Sequence, residues 1–138
     1  MSGSNLVRLS FSIEEELNDK FETLIREQGY ENRSEYIRDM IRKQLTRRHC
    51  AAGGDVIGTI SFLYDPEKPG LLLKLLKLRN GSPAQVLGDS RALLPRDGIC
   101  SEMLMIRGKG SDIRALAESI RKQTGVLQTE FVITSPGE

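Results

Sequence analysis

The sequence predicts an α+β protein in two parts, a short strand with two helices followed by a domain in which strands and helices alternate. Three observations predict it. Residues 5–13, NLVRLSFSI, alternate polar and apolar side chains. The next stretch carries two runs of apolar residues at helical spacing. Beyond the glycine pair at 53–54 the pattern changes to strand, helix, strand, strand, helix, strand.

In the opening strand Leu9, Phe11 and Ile13 share one face and Arg8, Ser10 and Ser12 the other. A lone strand is not stable, so its pairing partner must come from elsewhere. Ser12 with Glu15 forms a capping box, and the acidic run Glu14, Glu15, Glu16 suits the positive end of a helix over residues 14–28. Leu17, Phe21, Leu24 and Ile25 give that helix its apolar face, and Gly29 stops it. A second helix over 34–48 opens at Asn32 or Ser34 and carries Ile37, Met40, Ile41 and Leu45 on one side. Its last turns hold Arg42, Lys43, Arg47 and Arg48.

Residues 49–54 have no periodicity and two glycines, which predicts a hinge between a 1–48 domain and a 55–138 domain. In the second part VIGTISFLYD, AQVLGDSRALL, ICSEMLMIRG and VLQTEFVI read as strands. PGLLLKLLKLRN and SDIRALAESIRKQ read as helices, the latter capped by Ser111. The order βαββαβ is the split βαβ arrangement of the ferredoxin-like fold, which leaves one sheet face needing cover.

Bulk properties narrow the function classes. The formal net charge is +1, so any nucleic-acid footprint must be local. No apolar run reaches the length of a membrane span, and the polar MSGSN opening lacks a secretory signal, so the expected location is cytoplasmic. Cys50 and Cys100 match no zinc spacing and are expected as reduced thiols. There is one histidine, His49. A lone thiol without a neighbouring base, and no recognisable carboxylate pair, point away from an enzyme.

The segments VRLSFSIEEEL, GYENRSEYIRDMIR and FLYDPEK resemble the ribbon-helix-helix DNA-binding family and, within it, the nickel-responsive regulators of the NikR type. The resemblance covers nearly the whole chain. It implies an intertwined N-terminal dimer and a C-terminal ACT-like domain of βαββαβ order. It further implies a homotetramer, a dimer of dimers, that binds a double-stranded DNA operator, most simply as a repressor. A two-stranded ribbon fits the major groove, so Arg8, Ser10 and Ser12 take the base-contacting role, with Arg8 able to donate bidentately to guanine. The amides at the start of the second helix can form an anion site, and the resemblance implies phosphate contacts for Asn32, Arg33 and Ser34. By the same resemblance Glu35 and Asp39, four apart on one helix face, match a low-affinity cation site; pairing with Arg38, Arg42 or Lys43 is the alternative.

The family's nickel site, by that resemblance, is square planar, with three histidines and one cysteine from two chains. Imidazole and thiolate suit Ni(II). Here Asn80 stands near the first histidine position, and Arg91 and Leu93, or Ala92 and Leu94, stand at the closely spaced pair. Only Cys100 matches a ligand, so no cofactor is expected and nickel is not expected at this site. His49 and Cys50 form an adjacent donor pair of the kind that is usually incidental. Lys77, Arg79, Arg91 and Arg96 would repel a cation and attract an anion, which points to a small anionic effector if there is one. GKGS at 108–111 lacks the glycine spacing of a phosphate-binding loop. Two other readings remain: an antitoxin, whose tail would be disordered alone, and a metabolite-binding ACT-like module, which would leave Arg8, Ser10 and Ser12 without a task.

Overall fold

A computed structural model describes residues 5–136, with side chains to residue 134. The polar opening at 1–4 and the last two residues lie outside it. The chain divides into two packed units, Met1–Arg42 and Lys43–Glu138.

In the first unit residues 5–14 belong to no helix or strand, although the sequence predicts a strand over 5–13; a strand needs a pairing partner to form a ladder, and this unit supplies none. Helix α1 spans Glu15–Glu27. The capping box does not form: Glu14 is the N-cap, in extended conformation and without a side-chain cap, so Ser12 lies too far upstream to reach the first turn. The glycine stop does form. Gly29 takes φ +75°, and the Tyr30 amide donates to the Ile25 carbonyl at 3.0 Å, closing the helix end as only a residue tolerant of positive φ allows. Helix α2 spans Arg33–Ala51, running past the expected end at residue 48. Its cap is Asn32, whose Oδ1 accepts from the Glu35 amide at 2.9 Å, while Glu35 Oε2 accepts from the Glu31 amide at 3.4 Å.

The second unit is a four-stranded antiparallel sheet of order β2-β3-β1-β4. Its elements are β1 (Asp55–Tyr64), α3 (Leu71–Gly81), β2 (Gln85–Leu94), β3 (Ile99–Lys109), α4 (Gly110–Arg121) and β4 (Val126–Pro136). This is the predicted βαββαβ topology. Alternation along β1 and β3 puts Val56, Ile60, Phe62, Tyr64, Leu104 and Ile106 on one face, where they close on Leu71, Leu75, Ile113, Leu116 and Ile120 from the helices. The opposite face exposes Met103, Met105 and Val132. Helix α4 begins at Gly110 with Lys109 as N-cap and no side-chain cap, so Ser111 does not perform the capping its position suggested.

The C-terminal end of α2 packs within this unit. His49, Cys50 and Ala51, expected in the hinge, are helical. Cys50 lies against the core, and a Cβ on Gly110 would come within 2.0 Å of its Sγ. His49 Nε2 is 2.7 Å from the Asp55 carbonyl oxygen, and a Cβ on Gly54 would fall 2.3 Å from the same ring nitrogen. The corner from α2 into β1 is therefore fitted around two glycines.

Candidate nucleic-acid interface and regulatory site

Among its described residues the first unit buries a single large apolar side chain, Ile25. Leu9 and Phe11 are 77% and 62% exposed, and Leu17, Met40, Ile41 and Leu45 are each about half exposed. Phe11, Ile13, Leu17, Phe21, Leu24, Ile37 and Met40 line an apolar groove of about 470 Å³. A groove of that size, walled by the predicted inward face of the ribbon and both helices, is half of a core. Arg8, Ser10 and Ser12 are exposed on the ribbon segment.

At the start of α2 Asn32, Arg33 and Ser34 are all exposed. The Asn32 side chain is committed to the cap, and the Arg33 guanidinium pairs with Glu22 of α1. Ser34 stays in the first turn, with the amides at the helix's positive end. Glu35 and Asp39 share a face of α2, but each has a partner: the Tyr30 hydroxyl donates to Asp39, and Glu35 takes the Glu31 amide. Tyr30 and Phe21 both pack edge to face on Tyr36, which fixes the α1–α2 turn.

In the second unit the basic residues read as anion attractors are partly spent. Arg79 of α3 pairs with Asp89 of β2, and Arg91 Nε stands 3.5 Å from Glu102 Oε1. Register explains the second pair, because Arg91 and Phe62 both lie opposite Glu102 on the helix-facing side of the sheet. Tyr64 donates to Glu102 at 2.9 Å and lies opposite Cys100 in the ladder between β1 and β3. Burial, then hydrogen bonding, push the Tyr64 hydroxyl well above the usual tyrosine range, and the Glu102 carboxylate raises the Arg91 guanidinium further.

Tyr64 and Glu102 were missed by the sequence reading. The signal was present: Glu102 has the parity of Cys100, Leu104 and Ile106, a carboxylate on the inward side of its strand.

A nickel site of three imidazoles and a thiolate does not fit these residues. His49, the chain's one histidine, is on α2, and Cys100 is buried beside Tyr64. Among the described residues no group of three or more His, Cys, Asp or Glu side chains is placed to hold a metal ion.

Comparison with known proteins places this geometry. Residues 7–48 match the family described as ribbon-helix-helix protein, copG family, and residues 57–134 match the NikR C terminal nickel binding domain. The chain is 35% identical to a Pyrococcus abyssi protein across 97% of both chains. It is 33% identical to one from Solibacter usitatus, covering 97% of this chain and 96% of that one. It is also 33% identical to one from Methanococcus maripaludis, covering 94% and 93%. All three carry the name "Putative nickel-responsive regulator". In fold, the sheet and its helices resemble the crystal structure of the ACT domain from GTP pyrophosphokinase of Chlorobium tepidum. That match has a TM-score of 0.50 at 22% identity and covers 56% of this chain and 99% of that one. No helix among the described residues is long and apolar enough to cross a membrane. With a ribbon-helix-helix DNA-binding segment followed by an ACT-like domain along nearly its full length, the chain belongs to the family of nickel-responsive transcriptional regulators.

Proposed function

We propose that this protein is a cytoplasmic, homo-oligomeric regulator that binds its DNA operator without nickel. The observation that carries the nickel-free reading is Arg91. A guanidinium held on Glu102 stands on the strand where imidazoles would be needed, and residues 57–134 contain no histidine. A fixed cation there opposes the entry of a second one.

On this reading two chains pair their 5–13 segments, closing the apolar groove and turning Arg8, Ser10 and Ser12 toward base edges. Asn32, Arg33 and Ser34 present the start of α2 to the phosphate backbone; Arg33 exchanges Glu22 for phosphate. Residues 1–48 form the DNA-binding domain, 49–54 the connection and 55–138 the regulatory and tetramerisation domain, so that two ribbon dimers address two half-sites. Glu35 and Asp39 are offered as a weak cation site, in competition with the Tyr30 hydroxyl. Repression is the sign proposed, by occlusion of the operator. A small effector, if present, acts on the regulatory domain by favouring the arrangement in which both dimers reach DNA.

The test is fluorescence anisotropy on genomic fragments selected by the purified protein, with chelator and then excess Ni(II), across a salt series. Tight, salt-sensitive and sequence-selective binding that ignores nickel is expected. Binding that appears only with nickel overturns the reading.

A further inference from the structure

The apolar residues of the N-terminal segment do not all share one parity. Val7, Leu9, Phe11 and Ile13 alternate on one side, and Phe11 and Ile13 line the groove that a second chain closes. Leu6 falls in the other row, with Arg8, Ser10 and Ser12. It is 86% exposed, the most of any large apolar side chain among the described residues. Pairing two ribbons draws Leu9 and Phe11 against the helices, so their exposure in one chain is accounted for. The same pairing leaves Leu6 in water, at the end of the row that faces base edges. Leu6 also lies one residue ahead of the segment, residues 7–48, that matches the ribbon-helix-helix family.

A leucine at a DNA surface has a narrow choice of partner. Without a hydrogen-bond donor or acceptor it gains nothing from a phosphate, from guanine or from the amino edge of cytosine. The major groove presents one apolar group, the C5 methyl of thymine. Along a paired strand a two-residue step is about 7 Å, so Leu6 stands beyond the base pair that Arg8 reads. Serine hydroxyls donate or accept and so tolerate several base edges. A methyl contact supplies a preference for thymine that Ser10 and Ser12 lack.

We propose that Leu6 is a further reading residue, packing on the C5 methyl of a thymine beyond the base pair that Arg8 contacts. This rests on the ribbon reading above and extends it by one position and one kind of chemistry.

The experiment measures fluorescence anisotropy of the full-length protein on its selected operator, with each thymine in turn replaced by uracil, which keeps the pairing edge and lacks only the methyl. For wild type, uracil at one thymine of each half-site is expected to weaken binding about fourfold, the worth of one buried methyl group. Leu6→Ala is expected to bind the unmodified operator about four- to tenfold more weakly and to be indifferent to uracil at that same thymine. Leu6→Met keeps an apolar side chain of similar reach and is expected to stay sensitive there. The proposal is overturned if Leu6→Ala binds as tightly as wild type, or if its loss and the loss from uracil simply add at every thymine. It is also overturned if Leu6→Ala lowers the melting temperature and weakens operator and random DNA equally, which would put Leu6 in the dimer core. Arg8→Ala separates this proposal from the reading beneath it. Relaxed base preference in Arg8→Ala, with uracil silent at every thymine, sinks the Leu6 assignment alone; unchanged preference in Arg8→Ala defeats the ribbon reading and the Leu6 assignment with it.

Discussion

The two units of this chain stand in opposite relation to their own sequence. The 96 residues of the second unit enclose a core of more than a dozen side chains, with Val56, Ile60, Ile106 and Ala117 at 0% exposure. The described residues of the first unit bury one large apolar side chain, Ile25, and leave Leu9 and Phe11 largely exposed. Both halves carry apolar periodicity of similar quality, so pattern strength does not tell whether a segment completes its core alone. What differs is closure. Two helices lie across a four-stranded sheet in one unit, whereas in the other the segment ahead of α1 and two helices make one wall of a groove.

Phe11→Ala is the strongest way to break this contrast. It removes a residue that only a second chain can bury, and it should cost the dimeric N-terminal unit about 3–5 kcal/mol and abolish operator binding. The C-terminal unit should keep its far-ultraviolet circular dichroism. Loss of structure throughout the chain would show that the units are not separable. Ile60→Ala reverses the test. It should destabilise the C-terminal unit by about 2–5 kcal/mol in denaturant unfolding while the full-length variant keeps the wild-type transition of its N-terminal unit.

Finer distinctions concern DNA. Arg8→Ala should weaken operator binding by about 1–3 kcal/mol and relax preference at one base pair, whereas Arg33→Ala should weaken operator and random DNA alike. Equal losses on both DNAs for both variants would remove the division between reading and positioning. The smallest effect is expected at the cap of α2. Asn32→Ala removes a 2.9 Å bond to the Glu35 amide and should lower stability by about 1 kcal/mol, seen as a modest shift of the dimer's melting temperature.

Legibility in the sequence followed the same divide. The strands and helices from Asp55 onward were readable, most plainly β1, β3 and α4, whose inward faces are buried within one chain and leave a clean period. Helix ends were less so. Ser111 looked like a cap, yet α4 starts at Gly110, where a side chain would collide with Cys50 from a helix far upstream. Local rules cannot see such a contact. The same holds at the end of α2, where residues 49–51 read as linker but are helical, with the His49 ring against Gly54 and Asp55. At the site, the outward Arg8, Ser10 and Ser12 came from strand parity and Asn32 from capping chemistry. The Tyr64–Glu102–Arg91 arrangement depends on register between three strands, which no single segment encodes.

The edge strand β2 has a consequence for the life of the protein in the cell. Nearly all of Gln85–Leu94 is exposed in the single chain, including Leu87, Leu93 and Leu94, and one side of its backbone is paired only by β3. Such an edge is a template for any passing strand. A chain whose β2 edge stays open is thus adhesive toward other strands.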